Sequence, residues 1–328
     1  MLRRAFSLAP LLVILLCNHG LAQYSGGVGT LADPYQVSST ADLATLMSNP
    51  AHWGDNFIMT ASIDAAGMIG TVPIGNDGTH FTGTFNGQGN TISNLSMNLP
   101  GTIYVGLFGY VDGGTISNLG LLNCSILGWS FVGGLCGIND AGTITNCYST
   151  GFVEGTFEFI GGLCGVNSSG AISDSYSTAN VTATNVDSAV EPRIVGGFCG
   201  WNIYNGAIDN CYATGDVSAS GASVVGIGIA GGFCGRNGHQ TENAPGTITN
   251  CYATGAVYAG LDEAGGFCGI NTDGASISDC YATGAATAGN QFAEGFVGLN
   301  TVGNPASGTG PSTITRCYAT GSATTVAS

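Results

Sequence analysis

Cysteine is the residue best placed to do chemistry in this chain, with 12 among 328 residues. Leaving Cys17 aside, they form two rows. Cys136, Cys164, Cys199, Cys234 and Cys268 follow one another at intervals of 28, 35, 35 and 34 residues. Cys124, Cys147, Cys211, Cys251, Cys280 and Cys317 form the second row, in which Ser175 fills one place. A zinc site would need Cys-x-x-Cys pairs or histidines within the rhythm, and His52, His80 and His239 lie outside it. The 11 cysteines beyond Cys17 are an odd number, so a monomer cannot pair them all. Two readings stay open. Export would allow bridges, whereas buried thiols would serve as small apolar core residues. The second is favoured, because parallel side chains in register reach a poor bridging dihedral.

The carboxylates are the other reactive set. Asp174, Asp209 and Asp279 recur just ahead of the second cysteine row, but Asn or Thr stands at the matching places elsewhere. They read as turn acceptors rather than as an acid/base pair. Some β-helix proteins cleave polysaccharides with an arginine base, and the one candidate here is Arg193. It lies in the longest insert, 179–194, beside Asp187 and Glu191, a cluster that reads as a solvated loop. No serine has a histidine partner in a recognisable motif. Calcium would find oxygens at Asn76-Asp77-Gly78 or Asn271-Thr272-Asp273-Gly274, though both stretches read first as turns. No other cofactor is implied.

Composition narrows the partners. The chain has no lysine and five arginines against 20 carboxylates. Such a surface repels phosphate, so nucleic acid is not an expected partner. Residues 1–22 pair Arg3 and Arg4 with an apolar run and end in Gly20-Leu21-Ala22, the pattern of a secretory signal cleaved near Ala22. No second apolar run is long enough for a membrane span. The expected location is outside the cell or on its surface.

What must position these residues is a repeat. Gly-Gly-(Leu/Phe)-Cys-Gly-x-Asn begins at Gly133, Gly161, Gly196, Gly231 and Gly265, and weaker copies put Phe108 and Val297 in the cysteine place. Each unit has a second half, such as Thr143-Ile144-Thr145-Asn146-Cys147-Tyr148. The apolar runs are too short for a helical stripe. Units near 30 residues with two or three short strands fit one turn of a β-helix, in which stacking buries a core that no single unit has. A β-propeller blade needs four strands and a longer unit. The expected fold is therefore all-β, a parallel β-helix of coils of about 30 residues.

Stacking turns columns of sequence into ladders. Asn139, Asn167, Asn202, Asn237, Asn271 and Asn300 form one, expected at a bend because Asn tolerates the left-handed conformation, with amides that can also bond coil to coil. Tyr148, Tyr176, Tyr212, Tyr252, Tyr281 and Tyr318 form another. If the chain bends at Asn146, these tyrosines point outward. They are then either a candidate binding face for sugar rings or a partner, or an aromatic ladder covered by a loop and valued for packing.

Gly161-Gly162-Leu163-Cys164-Gly165-Val166-Asn167, followed by Ile172-Ser173-Asp174-Ser175-Tyr176-Ser177-Thr178, resembles the GLUG repeat. That family occurs in bacterial secreted and surface proteins, including adhesin-like proteins and non-catalytic regions of immunoglobulin A peptidases. The resemblance covers roughly residues 90–328. It implies a solenoid with an extracellular role and brings no catalytic residue. The lead-in phrases Gly29-Thr30-Leu31-Ala32-Asp33-Pro34-Tyr35 and Phe81 to Ile92 resemble the leader of such proteins. Cysteine in the anchor place, where a small apolar residue is usual, is this chain's departure.

Three segments follow: 1–22 as signal peptide, 23–90 as N-terminal cap and first strands, and 91–328 as repeats. A short helix over 41–47, capped by Thr40, is expected to cover the first coil. No equivalent covers the last, which leaves self-association through the C-terminal coil open. The function expected is non-catalytic adhesion, meaning binding of an extracellular glycan or protein. Variable inserts carrying Phe157, Phe159, Tyr258 and Phe292 and the Tyr/Thr face would provide it. The alternative is a passive rod in a surface layer or matrix. A polysaccharide-cleaving enzyme is a remote alternative. So is ice binding through Thr143/Thr145 and Thr247/Thr249, whose row Ala171, Ala207 and Asp209 interrupt.

Overall fold

The computed structural model describes residues 23–184, 193–219, 228–239, 244–260, 262–289, 291–301 and 310–326. The signal-peptide reading of residues 1–22, together with Cys17, Asp187 and Glu191, lies outside them. The described chain is a succession of short parallel strands stacked into four long sheets, a parallel β-helix. One coil shows the plan. Arg193–Gly196 adds to a glycine-rich sheet, Cys199–Ile203 to the sheet of anchor cysteines and Ala207–Asp209 to a sheet centred on isoleucine. Tyr212–Ala213 and Val217–Ala219 add to the tyrosine sheet.

Register is what the sequence columns demand. Phe108 pairs with Cys136, and the file runs on through Cys164, Cys199, Cys234 and Cys268 to Val297. Both weaker copies of the motif therefore sit where the strong ones place a cysteine. Ile116, Ile144, Ile172, Ile208, Ile248 and Ile277 line the same core from another sheet, all fully buried. Phe198, Phe233, Phe267 and Phe296 stack at 4.8–5.0 Å, close to the strand spacing of a sheet.

The glycines of the motif are fixed by sterics. A Cβ on Gly196 would strike the Cys199 carbonyl oxygen of its own coil, and one on Gly197 the Gly232 carbonyl of the next. A Cβ on Gly200 would press on the Gly165 carbonyl of the coil before. Three glycines around one cysteine thus let consecutive coils approach closely at this corner.

The asparagine file corrects one expectation. Asn139, Asn167, Asn202, Asn237 and Asn271 are fully buried and none takes the left-handed conformation. Each donates from Nδ2 to Oδ1 of the next, at 2.8–2.9 Å, ending on Asn300. The same Nδ2 groups reach a carbonyl of their own coil, such as Gly170 or Gly206. The left-handed corner lies instead at Asn118, Asn146, Asp174, Asn210, Asn250, Asp279 and Arg316, with φ of 52–56°. There the chain leaves the isoleucine strand, and solvent-facing side chains bond the neighbouring coil, as Asn146 does to Asn118 and Asn210 to Asp174.

The cap helix is one residue longer at each end than the sequence suggests. It spans Thr40–Ser48, and Ser39 rather than Thr40 is its N-cap, accepting from the Asp42 N–H at 3.2 Å. Leu43, Leu46 and Met47 are buried beneath it. Burial alone would raise the Asp42 carboxyl. Hydrogen bonds from Ser25, the Ser38 N–H and Ser39 outweigh that and hold it below the usual carboxylate range.

Two outcomes are expected. Asn202→Ala leaves Asn167 Nδ2 and Asn237 Oδ1 each short of a buried partner and lowers unfolding free energy by ~2–4 kcal/mol, whereas Asn300→Ala, at the exposed end of the file, costs under ~1 kcal/mol in denaturant titration. Because Asp42 has a depressed folded pKa, its contribution to the cap is complete above the unfolded value near ~4 and disappears as pH falls through the folded one. Asp42→Asn should flatten that acid limb in pH-dependent melting.

Candidate functional site

The tyrosine column faces outward, as a bend at Asn146 requires. Cys147 and Ser149 are buried, while Tyr148, Tyr176, Tyr212, Tyr252 and Tyr281 are half-buried and Tyr318 is exposed. Their rings stack in a single file at 4.7–5.2 Å with interplanar angles of 2–8°. Inside the file each ring has a neighbour on both faces, so only edges and hydroxyls meet solvent. Sugars stack on ring faces, so the interior of this column is a poor platform for them. Its direct contribution is packing, ~0.5–1.5 kcal/mol per pair.

The described cysteines are thiols, ten of them buried and Cys317 half-buried. Anchor thiols donate to the carbonyl two residues on, as Cys136 does to Ile138 at 3.0 Å and Cys164 to Val166 at 3.1 Å. Burial pushes Cys124 and Cys147 up to about 12, and Cys164, Cys234 and Cys251 well above the ordinary thiol value. Such groups are poor nucleophiles. Among the described residues no three His, Cys, Asp or Glu side chains come together as metal ligands.

The acid/base candidates are engaged in the scaffold. Asp209 accepts from Thr249 and Asn250, both at 2.8 Å, Asp174 accepts from Asn210, and Asp279 forms a bidentate pair with Arg316. Asn76 Oδ1 accepts from the Gly78 and Thr79 N–H groups, and Asp273 is fully buried with Oδ2 on the Ala244 N–H. Arg193 departs from its reading as a solvated loop residue. It begins the strand Arg193–Gly196, is 2% exposed, and its Nη2 has no partner among the described residues. Desolvation lowers its pKa.

Two features were hidden in the sequence. The first is an apolar seam outside the coil, in the angle between the glycine and anchor sheets. Tyr104, Phe131, Phe159 and Trp201 follow one another along it with ring centroids 4.7–5.1 Å apart, the last pair stacked and the others tilted. Tyr104, Phe131 and Phe159 take φ of 54–57° to turn out of the core, so Phe159 packs in the seam instead of forming part of a free insert. Further along, Arg236 is buried with its guanidinium 5.9 Å from the Trp201 ring centroid.

The second is a shallow groove of ≈ 460 Å³ on the outer face of the tyrosine sheet. Its floor is Asn180, Thr182, Asp216, Ser218 and Ala256, and Phe152 and Tyr258 rise from it. Phe152 is 61% and Tyr258 43% exposed. Tyr258 lies within the strand Val257–Ala259, not in a loop. Asn180 Oδ1 accepts from the Asp216 N–H and Asp216 Oδ1 from the Ala256 N–H, at 3.0 and 2.9 Å. Asn180 Nδ2 and Asp216 Oδ2 have no partner among the described residues.

The motif segments 132–153, 192–218, 226–258 and 263–287 match the family model described as the GLUG motif. Those four segments carry the GLUG motif. One stretch of 117 residues, 33% of the chain, is 43% identical to halomucin of Haloquadratum walsbyi. Another of 120 residues, again 33% of the chain, is 31% identical to a Gly-rich membrane protein of Evansella cellulosilytica. The matches span only 1% and 14% of those relatives' lengths. An immunoglobulin A1 protease-like protein from Bacteroides ovatus superposes with a TM-score of 0.63 over 90% of this chain and 87% of its own, at 20% identity. That likeness carries the fold alone. No helix among the described residues is long and apolar enough to cross a membrane.

Thiol reagents give a direct check on the two cysteine rows. In native protein only Cys317, of the described cysteines, should alkylate at a measurable rate. The other ten should react together on unfolding, seen by mass spectrometry without prior reductant. Mass loss corresponding to bridges, or fast labelling at Cys164 or Cys234, would contradict the buried-thiol assignment.

Proposed function

We propose that this GLUG-repeat chain is an exported or surface-held, non-catalytic binding protein, whose repeats display adhesive positions on the outside of a rigid solenoid. Export would be directed by residues 1–22, with cleavage near Ala22. The observation that carries the reading is a division of labour between faces. The thiols and Arg193 are buried, and the recurring aspartates are tied to neighbouring coils. What differs from coil to coil points outward, including Trp129, Phe152, Tyr258 and Phe292, each more than 40% exposed. Relatives named halomucin and a Gly-rich membrane protein fit a cell-surface setting. The protease-like name of the structural neighbour brings no catalytic group to this chain, and among the described residues no reactive side chains converge in an open site.

The purified chain, applied to a glycan array and to cells, should bind at least one of them without altering it chemically. A blank result on both would overturn the adhesion reading, and turnover of any glycan would overturn the non-catalytic one. A scaffold role has its own support. In the last coils Phe296, Val297, Leu299 and Cys317 are only partly covered, an apolar end on which a second chain could stack. In that case sedimentation would show concentration-dependent end-to-end growth.

A further inference from the structure

We infer that the groove between Phe152 and Tyr258 is a binding site for an uncharged oligosaccharide lying along the solenoid axis. The inference deepens the binding reading above and rests on it. Phe152, Asn180, Asp216 and Ala256 occupy matching positions in successive coils. Thr182, Ser218, Tyr258 and Thr287 form the adjacent column. Phe152 and Tyr258 are thus three coils apart, ~14 Å at the ~4.8 Å spacing of paired strands, the span of a short oligosaccharide.

The residues between them are short, so nothing rises to block a ligand passing from one ring to the other. Unlike the tyrosines of the stacked file, neither ring is paired with another aromatic among the described residues. Each offers an apolar face for the C–H side of a pyranose. The floor supplies hydrogen bonding of the kind that hydroxyls need. Asn180 Nδ2 can donate, Asp216 Oδ2 can accept, and the Thr182 and Thr287 hydroxyls can do either. A few fixed polar groups between apolar walls is the usual make-up of a small-ligand site.

Charge selects the class. The lining contains one carboxylate and no cation, in a chain with net charge −15. Sulfated or uronic-acid chains are therefore repelled. An extended peptide would seek unpaired strand edges, and the strands that floor the groove are paired with a neighbour on both sides.

The test uses the full chain with a ladder of neutral oligosaccharides from one to six sugar units, beside sulfated counterparts, in titration calorimetry. Affinity should rise with length and level off once the sugar spans the two rings. Phe152→Ala and Tyr258→Ala should each weaken binding about tenfold or more, while Phe152→Tyr and Tyr258→Phe, which keep the rings, retain it. Ile69→Ala, at an exposed apolar side chain near the N-terminal cap, should change nothing. Both groove rings are solvent-facing, and unchanged circular dichroism would show that the variants fold. Neutral-sugar binding that survives both alanine substitutions would overturn this site but leave the adhesion reading intact. Preference for the sulfated series would overturn the neutral assignment. No sugar binding alongside retained cell binding would overturn the inference and direct the adhesion reading to a protein partner. Loss of both would overturn the two together.

Discussion

Everything in this molecule depends on vertical register: each residue is paired with its equivalent one coil away. No coil encloses a core of its own. The apolar interior exists only where Ile144 lies over Ile172 and Cys164 over Cys199. A slip of one residue would turn isoleucines to solvent and threonines inward. The glycines around each anchor cysteine enforce the register sterically, since only at those places can one coil's backbone pass under the next. The buried asparagine file enforces it chemically, because a displaced amide would lose its partners in a medium with no water to replace them.

How much of this could be read beforehand follows from what a column preserves. The cysteine, isoleucine, tyrosine and asparagine files keep one residue type through many units, so both their existence and their registration were legible. Even Phe108 and Val297 could be placed in the anchor file. Which asparagine column makes the left-handed corner was not. Asn139 and Asn146 both close short strands, and strand alternation does not distinguish an amide turned into the core from one at a bend. The cap helix was found, with Ser39 in place of Thr40 as its N-cap, because adjacent hydroxyl residues present the same local signal.

The outer features were illegible for the opposite reason. The seam column runs Tyr110, Ile138, Val166, Trp201, Arg236, Ile270, Leu299. In sequence it is the variable place of Cys-Gly-x-Asn, and it looks like noise. Only the angle between two sheets makes it a second apolar core. The same angle buries Arg236 against Trp201, a placement that its lone charge in the sequence would argue against. The groove is harder still to see, since Phe152 and Tyr258 belong to different columns and to coils more than a hundred residues apart.

The asparagine file also has a direction. Every amide hands its proton the same way, so the mismatch falls only at the two termini of the file. Among the described residues Asn139 Oδ1 lacks a donor, because Val111 precedes it, and at the other terminus Asn300 meets solvent. That penalty is the same whether the file holds six members or sixty. Duplicating or deleting a whole coil therefore adds or removes a satisfied link without creating a new defect. Rod length is thus free to drift in evolution while the cross-section stays fixed.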